Sequence, residues 1–308
     1  MKGVVTYMKY ILLLSLLLTS ITFAGDVKQK LNLDFFTTSD ELFKLMIKEA
    51  EQGDSGAQYQ LGLTYKYGDG VPKNNQEAVK WLLKSAKQGL SSAQVYLGGI
   101  YKEGTGVPKD YNEALKWYLK AAEQGNPRAM YNLGQLYRDG VGVSQNHKEA
   151  FKWYLKSAEH GYDQAFFVTG NMYHHGEGIP ENAKEAFKWY LKSAQAGYAI
   201  GELYSAFQYH LGNGVPKNLK EAFKWYLKAA DQGMRHAQFN LGLMYMKGEG
   251  VPENYLSAYV WTSMAKTSGE RGAIELLESI KEKMTKQQIA EGQTRAAKCF
   301  KSNFKDCD

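Results

Sequence analysis

The chain has 308 residues, with 38 lysines and arginines against 32 aspartates and glutamates, a formal net charge of +6 at pH 7, and two cysteines. That length would hold about two ordinary domains if the sequence were not repetitive. A positive balance this mild, with each basic column set beside an acidic one, speaks against a nucleic-acid partner.

In chain order, the first element reads as an export leader. Lys2 and Lys9 precede the apolar run of residues 10–23, and Thr22-Phe23-Ala24 supplies a small-residue cleavage site. This is the pattern of a secretory signal peptide over residues 1–24, with Met8 as a second possible start. The run is shorter than the roughly 20 apolar residues that a bilayer span requires, so no stable membrane span is expected after cleavage. Cutting after Ala24 removes two lysines and no acid, which lowers the net charge from +6 to +4. The expected destination is the periplasm or the exterior. Residues 25–53 read as an N-terminal cap, in which Thr38-Ser39-Asp40-Glu41 is a capping box ahead of a helix through Leu42, Leu45, Met46 and Ala50.

From residue 54 the sequence becomes periodic. Its six tryptophans are Trp81, Trp117, Trp153, Trp189, Trp225 and Trp261, all 36 residues apart, and glycines from Gly53 to Gly269 and alanines from Ala78 to Ala258 keep the same period. A rare bulky residue on a strict period marks a structural unit copied in tandem. In the copy at residues 90–125, Ala93, Leu97 and Tyr101, then Ala114, Trp117, Tyr118 and Ala121, fall at three- and four-residue steps. Two amphipathic helices are therefore predicted, joined by Gly104-Thr105-Gly106-Val107-Pro108, whose glycines can end a helix and whose proline cannot continue one. The loop recurs as GDGVP, GEGIP, GNGVP and GEGVP, and departs only as GVGVS at Gly140. Without a preceding strand and third glycine, or a Gly-Lys-Ser/Thr, these glycine pairs are turns rather than phosphate cradles. An isolated hairpin cannot bury its apolar face, so neighbouring copies must stack.

The pattern A-x-x-x-L-G-x-x-Y, then G-x-G-V-P, then E-A-x-K-W-Y-x-K-A-A-x-x-G resembles the Sel-one-like repeat family, relatives of the tetratricopeptide repeats with a slightly longer loop. Ala57, Leu61, Gly62, Tyr65, Gly68, Gly70, Ala78, Trp81 and Ala86 carry it in the first copy. The resemblance implies an all-α fold, an α-solenoid of antiparallel helix pairs wound into a right-handed superhelix, with six copies over residues 54–269. The copies lack the cysteine pairs of the family's cysteine-rich branch. The fifth copy has Gly201 for Ala, Ser205 for Leu and Ala206 for Gly, and the fourth has Thr169 for Leu. Those exchanges are expected to loosen or bend the fifth copy's first helix, and to place a change of curvature or a binding feature within residues 166–210.

Residues 270–308 read as a C-terminal cap. One helix is expected through Ala273, Leu276, Leu277, Ile280 and Met284, and a second opens at Thr285-Lys286-Gln287-Gln288. In an exported chain Cys299 and Cys307 are expected to pair, the alternatives being free thiols or a bond to another chain. No HExxH, GxSxG or CxxC occurs, and adjacent His174 and His175 point about 100° apart on a helix, so neither a metal nor a cofactor is expected and the chain does not read as an enzyme. Lysines such as Lys116 and Lys152 recur beside Glu113 and Glu149 as solvated, charge-laced helix faces.

What remains is a surface. In the tetratricopeptide repeats that the family resembles, the first helix of each hairpin lines the concave side. By register, one exposed column would be Tyr59, Val95, Tyr131, Phe167, Leu203 and Phe239, unless it only packs hairpins together. A second would include Gln135, Asn171 and Phe207, and a third Lys66, Lys102, Arg138, His174, His210 and Met246. Aromatic beside basic suits an acidic or amphipathic peptide. The reading is a monomeric, exported adaptor that binds a protein or peptide in its groove, the alternative being an enzyme or regulator acting on peptidoglycan or β-lactams.

Overall fold

A computed structural model describes residues 39–302 together with Phe304 and Cys307. The leader assigned to residues 1–24 and the first part of the N-terminal cap, including Thr38, lie outside the described residues. Among the described residues there are fifteen α-helices and no strand: α1 Ser39–Glu51, α2 Ser55–Tyr67, α3 Asn75–Lys87, α4 Ser91–Glu103, α5 Tyr111–Glu123, α6 Pro127–Asp139, α7 His147–Glu159, α8 Asp163–His175, α9 Ala183–Gln195, α10 Ala199–Leu211, α11 Leu219–Asp231, α12 Arg235–Lys247, α13 Tyr255–Thr267, α14 Ala273–Lys281 and α15 Lys286–Lys301. Helices α2 to α13 form six hairpins, and the fold is an α-solenoid. Its contacts group the chain into two compact units, one ending at Leu133 and the other beginning at Gly134, inside α6.

Local chemistry fixes the length of each rod. The first helix of a hairpin stops at a left-handed glycine: Gly104 has φ 75° and its N–H reaches the Ile100 carbonyl at 2.8 Å. That conformation is costly for a residue with a Cβ. The second helix starts at an Asn or Asp that accepts from the amides of the first turn, as Asp110 Oδ1 does from Asn112 N at 2.9 Å and Glu113 N at 3.0 Å. Asn74, Asn146, Asn182, Asn218 and Asn254 repeat this cap, each worth about 1 kcal/mol. The exchanges Gly201, Ser205 and Ala206 leave the fifth copy's first helix, α10, with the bounds of its neighbours. It runs the same 13 residues as its neighbours and ends at left-handed Gly212, and buried Gly201 lets it close tightly on Ser193 and Ala194.

Close approach within each hairpin depends on small residues. Gly98 of α4 lies against the ring of Tyr118 on α5, where an added Cβ would come within 2.6 Å of Cε1. Trp81, Trp117 and Trp189 are buried as expected, whereas Trp153 and Trp225 are half-buried. In four copies the fully enclosed aromatic of the second helix is the tyrosine one residue later, Tyr118, Tyr154, Tyr190 and Tyr226, whereas in the sixth it is Trp261 itself. Lysines cover the outer tryptophan faces, with Lys84 Nζ 3.9 Å from the Trp81 ring and Lys192 Nζ 4.0 Å from that of Trp189.

Polar stitches tie the two ends of a hairpin together and hold it to the preceding helix. In the first unit Gln88 Nε2 donates to Gln58 Oε1 at 2.8 Å, and Gln124 Nε2 to Gln94 Oε1 at 2.8 Å. Gln58 and Gln94 in turn donate to the carbonyls of Ala50 and Ala86. The second unit repeats the device with Gln232 Nε2 to Glu202 Oε2 at 2.8 Å and Ser268 Oγ to Gln238 Oε1 at 3.2 Å. At the C-terminal end α14 and α15 cover α13. Gly292 sits against Tyr259, and the α15 N-terminus, where a helix was expected to open, carries a capping box between Thr285 and Gln288. Cys299 and Cys307 stand at disulfide distance, their Cα atoms 4.5 Å apart, and Phe304 between them lies over Gly233.

Candidate functional site

The candidate binding residues all stand on first helices, α2, α4, α6, α8, α10 and α12, so a rigid rod rather than a loop sets the spacing of each. The structure sorts the register columns by depth. The first column is not the exposed aromatic row that register implied: Tyr59, Val95 and Leu203 are only 9%, 4% and 2% exposed. Its position faces the seam with the next hairpin. Tyr59 belongs to the cluster containing Leu82, Leu97 and Trp117 and meets Tyr96 edge-on at 5.6 Å. Tyr131, Phe167 and Phe239 are half-buried. Phe167 packs on Tyr190 at 5.6 Å and Tyr204 at 5.1 Å, while Phe239 packs against Leu276 and Leu277.

Columns two and three lie nearer solvent, and Lys66, Lys102, Gln135, Arg138, Asn171, His174, Phe207 and His210 are all half-buried. In the first unit Lys66 Nζ lies 5.3 Å from the Tyr96 ring and 5.6 Å from that of Tyr67. In the second, Arg138 Nε donates to Asp139 Oδ1 at 2.8 Å, so its charge is partly met on its own helix. His174 stands edge-on to His175 at 4.8 Å and tilted against Tyr190 at 6.2 Å. Phe207 meets Tyr226 edge-on at 5.5 Å, and His210 does so at 6.0 Å. Burial pushes the His210 imidazole down from its ordinary range, an effect opposed by Glu249, whose carboxylate is 3.8 Å away. Burial likewise raises the Tyr118, Tyr190 and Tyr226 phenols well above theirs.

Register reasoning missed Tyr67, Tyr96 and Arg128 in the first unit and Tyr204 in the second. These residues touch column members through non-equivalent positions of successive copies, a relation that aligned columns hide. The arrangement offers half-buried rings and cations on stiff rods, which suits binding. Among the described residues no group of three or more His, Cys, Asp or Glu could hold a metal ion, and no helix is long and apolar enough to cross a membrane.

Stacked hairpins that display such side chains define an α-solenoid of the class that serves as a scaffold for interactions between proteins. The Sel1 repeat model matches residues 55–90, 91–126, 127–162, 167–198, 202–234 and 235–270, so the chain belongs to the Sel1 repeat family. Among solved structures it is similar to c5321, a protective antigen of uropathogenic Escherichia coli strains with an SLR fold, at 31% identity and a TM-score of 0.72 over 85% of this chain. The chain spans 57% of that protein's length. It is also similar to a Sel1 repeat protein from Oxalobacter formigenes, at 36% identity and a TM-score of 0.58, covering 70% of this chain and 86% of the other. No curated protein matches.

Proposed function

We propose that this chain is an exported, non-catalytic adaptor that binds an acidic or amphipathic segment of a partner protein along its first helices. The observation that carries the reading is the set of half-buried cationic and aromatic side chains on successive first helices. Lys66, Lys102 and Tyr131 belong to the first unit, and Arg138, Phe167, Asn171, His174 and Phe207 to the second. Enclosed aromatics supply affinity in such surfaces, and rim charges chiefly speed association. Export is supported by the leader-like N-terminus and by the cysteine pair at disulfide distance, which suits an oxidising compartment. Likeness to a protective antigen agrees with a place outside the cytoplasm.

Crosslinking followed by pull-down from an envelope fraction tests the reading. A definite protein should be enriched, and K102E and R138E should each weaken its capture in a salt-dependent way while K116E and K152E, on the second helices, leave it unchanged. Recovery of no specific protein, or loss of capture only in the second-helix variants, would refute it.

A further inference from the structure

The start of the array carries a cluster that the register columns do not contain. Lys66 and Tyr67 end α2, Tyr96 lies midway along α4, and Arg128 stands in the first turn of α6, so the four run diagonally across three successive first helices. Tyr96 is the hub. The Lys66 ammonium lies 5.3 Å from its ring centre and the Arg128 guanidinium 5.2 Å. Tyr67 is hydrogen-bonded to the Tyr96 phenol and is 56% exposed, an unusual position for so large a ring. Burial raises the Tyr96 phenol, but hydrogen bonds from Tyr67 and Arg128, with the charges of Arg128 and Lys66, outweigh it and leave the group more acidic than an ordinary tyrosine. The same surroundings that favour a phenolate favour any oxyanion placed beside it. Glu103 is the acid close enough to act on Tyr67, so two cations face one nearby carboxylate.

We propose that Lys66, Tyr67, Tyr96 and Arg128 form a docking corner for a carboxylate of a partner polypeptide, with the exposed Tyr67 ring covering the apolar part of the same side chain. Charge complementarity selects that occupant: the guanidinium and the ammonium both stand beside the Tyr96 ring, 5.2 and 5.3 Å from its centre, and guanidinium donors match the planar carboxylate. The proposal rests on the adaptor reading and narrows it to a place and a chemical group.

The test pans a random dodecapeptide display library on the wild-type chain and on K66Q/R128Q, with K102Q/R138Q as a second bait. Wild type should enrich peptides with Asp or Glu beside an apolar or aromatic residue. A synthetic copy of one such peptide should bind K66Q/R128Q about tenfold more weakly, the loss of one charge-assisted contact. Its Gln-for-Glu version should bind wild type and K66Q/R128Q alike. Circular dichroism melts of all baits should agree closely, since each change keeps a polar side chain and none of the four residues is buried. If acidic peptides are enriched and depend on Lys102 and Arg138 but not on Lys66 and Arg128, this corner is refuted while the adaptor reading stands. If acidic peptides are not enriched, the carboxylate chemistry is refuted, and envelope crosslinking separately decides the adaptor reading.

Discussion

Gly98 and Gly99 are neighbours on α4, yet replacing each by alanine should move stability in opposite directions. A Cβ at Gly98 would lie 2.6 Å from Tyr118 Cε1, 2.7 Å from Cδ1 and 3.1 Å from Cζ. Tyr118 is 2% exposed and enclosed on all sides, so its ring cannot swing away without displacing other core atoms. Overpacking of this kind costs about 1–3 kcal/mol, against a gain of about 1 kcal/mol from placing alanine in a helix interior. The net expectation for G98A is a loss of about 1 kcal/mol. At Gly99 the only atom that an added Cβ would meet is the Tyr118 hydroxyl oxygen at 3.7 Å, an ordinary contact. The helix term then acts alone, and G99A should gain up to about 1 kcal/mol. Urea unfolding followed by circular dichroism measures both, and the informative quantity is the separation of about 2 kcal/mol between the two variants. If G98A is as stable as wild type, or if both variants shift the same way, the close approach of α4 and α5 is not what the glycine is for.

Glu202→Gln should stabilise the chain near pH 7. Burial raises the Glu202 carboxyl above its ordinary range, against the opposing hydrogen bond from Gln232, so folding favours its protonated form and ionisation costs stability as pH climbs from the usual glutamate range. A glutamine keeps the bond from Gln232 and can donate to the Ala194 carbonyl as Gln238 does to that of Ala230, so a gain of about 1 kcal/mol should shrink towards zero by pH 4 in parallel urea titrations. Trp117→Ala, at a buried site, should cost about 3–5 kcal/mol, and Trp153→Ala, at a half-buried one, clearly less, as denaturant midpoints will show. Reducing the Cys299–Cys307 bond should release Phe304 from Gly233 and weaken closure of the tail by about 2 kcal/mol, visible as faster amide exchange near the end of α15 with α4 unaffected.

The period of 36 was legible because a stacked hairpin constrains the same few positions in every copy: the glycine ending the first helix, the alanines at its crossing, and the tryptophan. Depth on the first helices was not. Each of these helices packs against its own partner on one side and a neighbouring hairpin on the other, so apolar residues occur nearly all round it, and Tyr59 gives no sign in sequence of facing a seam rather than solvent. The Asn and Asp caps were in plain view three residues before the E-A pair of five copies and before Ser257-Ala258 of the sixth, but the glycine loop already explained the break and left them unread. The corner formed by Lys66, Tyr96 and Arg128 could not be found by aligning copies, because it joins a different position from each of three copies.

The glutamine stitch also bears on how such an array changes length. Each bond spans 30 residues, its acceptor in the first helix of one copy and its donor just after the second helix of the same copy. The acceptor side chain also donates back to the preceding alanine carbonyl, at Ala50 for Gln58 and Ala86 for Gln94. Donor and acceptor therefore travel together when a gene segment is duplicated or lost in whole periods, and the new junction finds the same partners as the old one. A cut at any other interval separates the pair and strands a buried amide. Recombination at the 36-residue period is thus the step least costly to the fold, and Met130 and Phe166, which stand where the other copies have Gln or Glu, are the two positions at which this joint is not made.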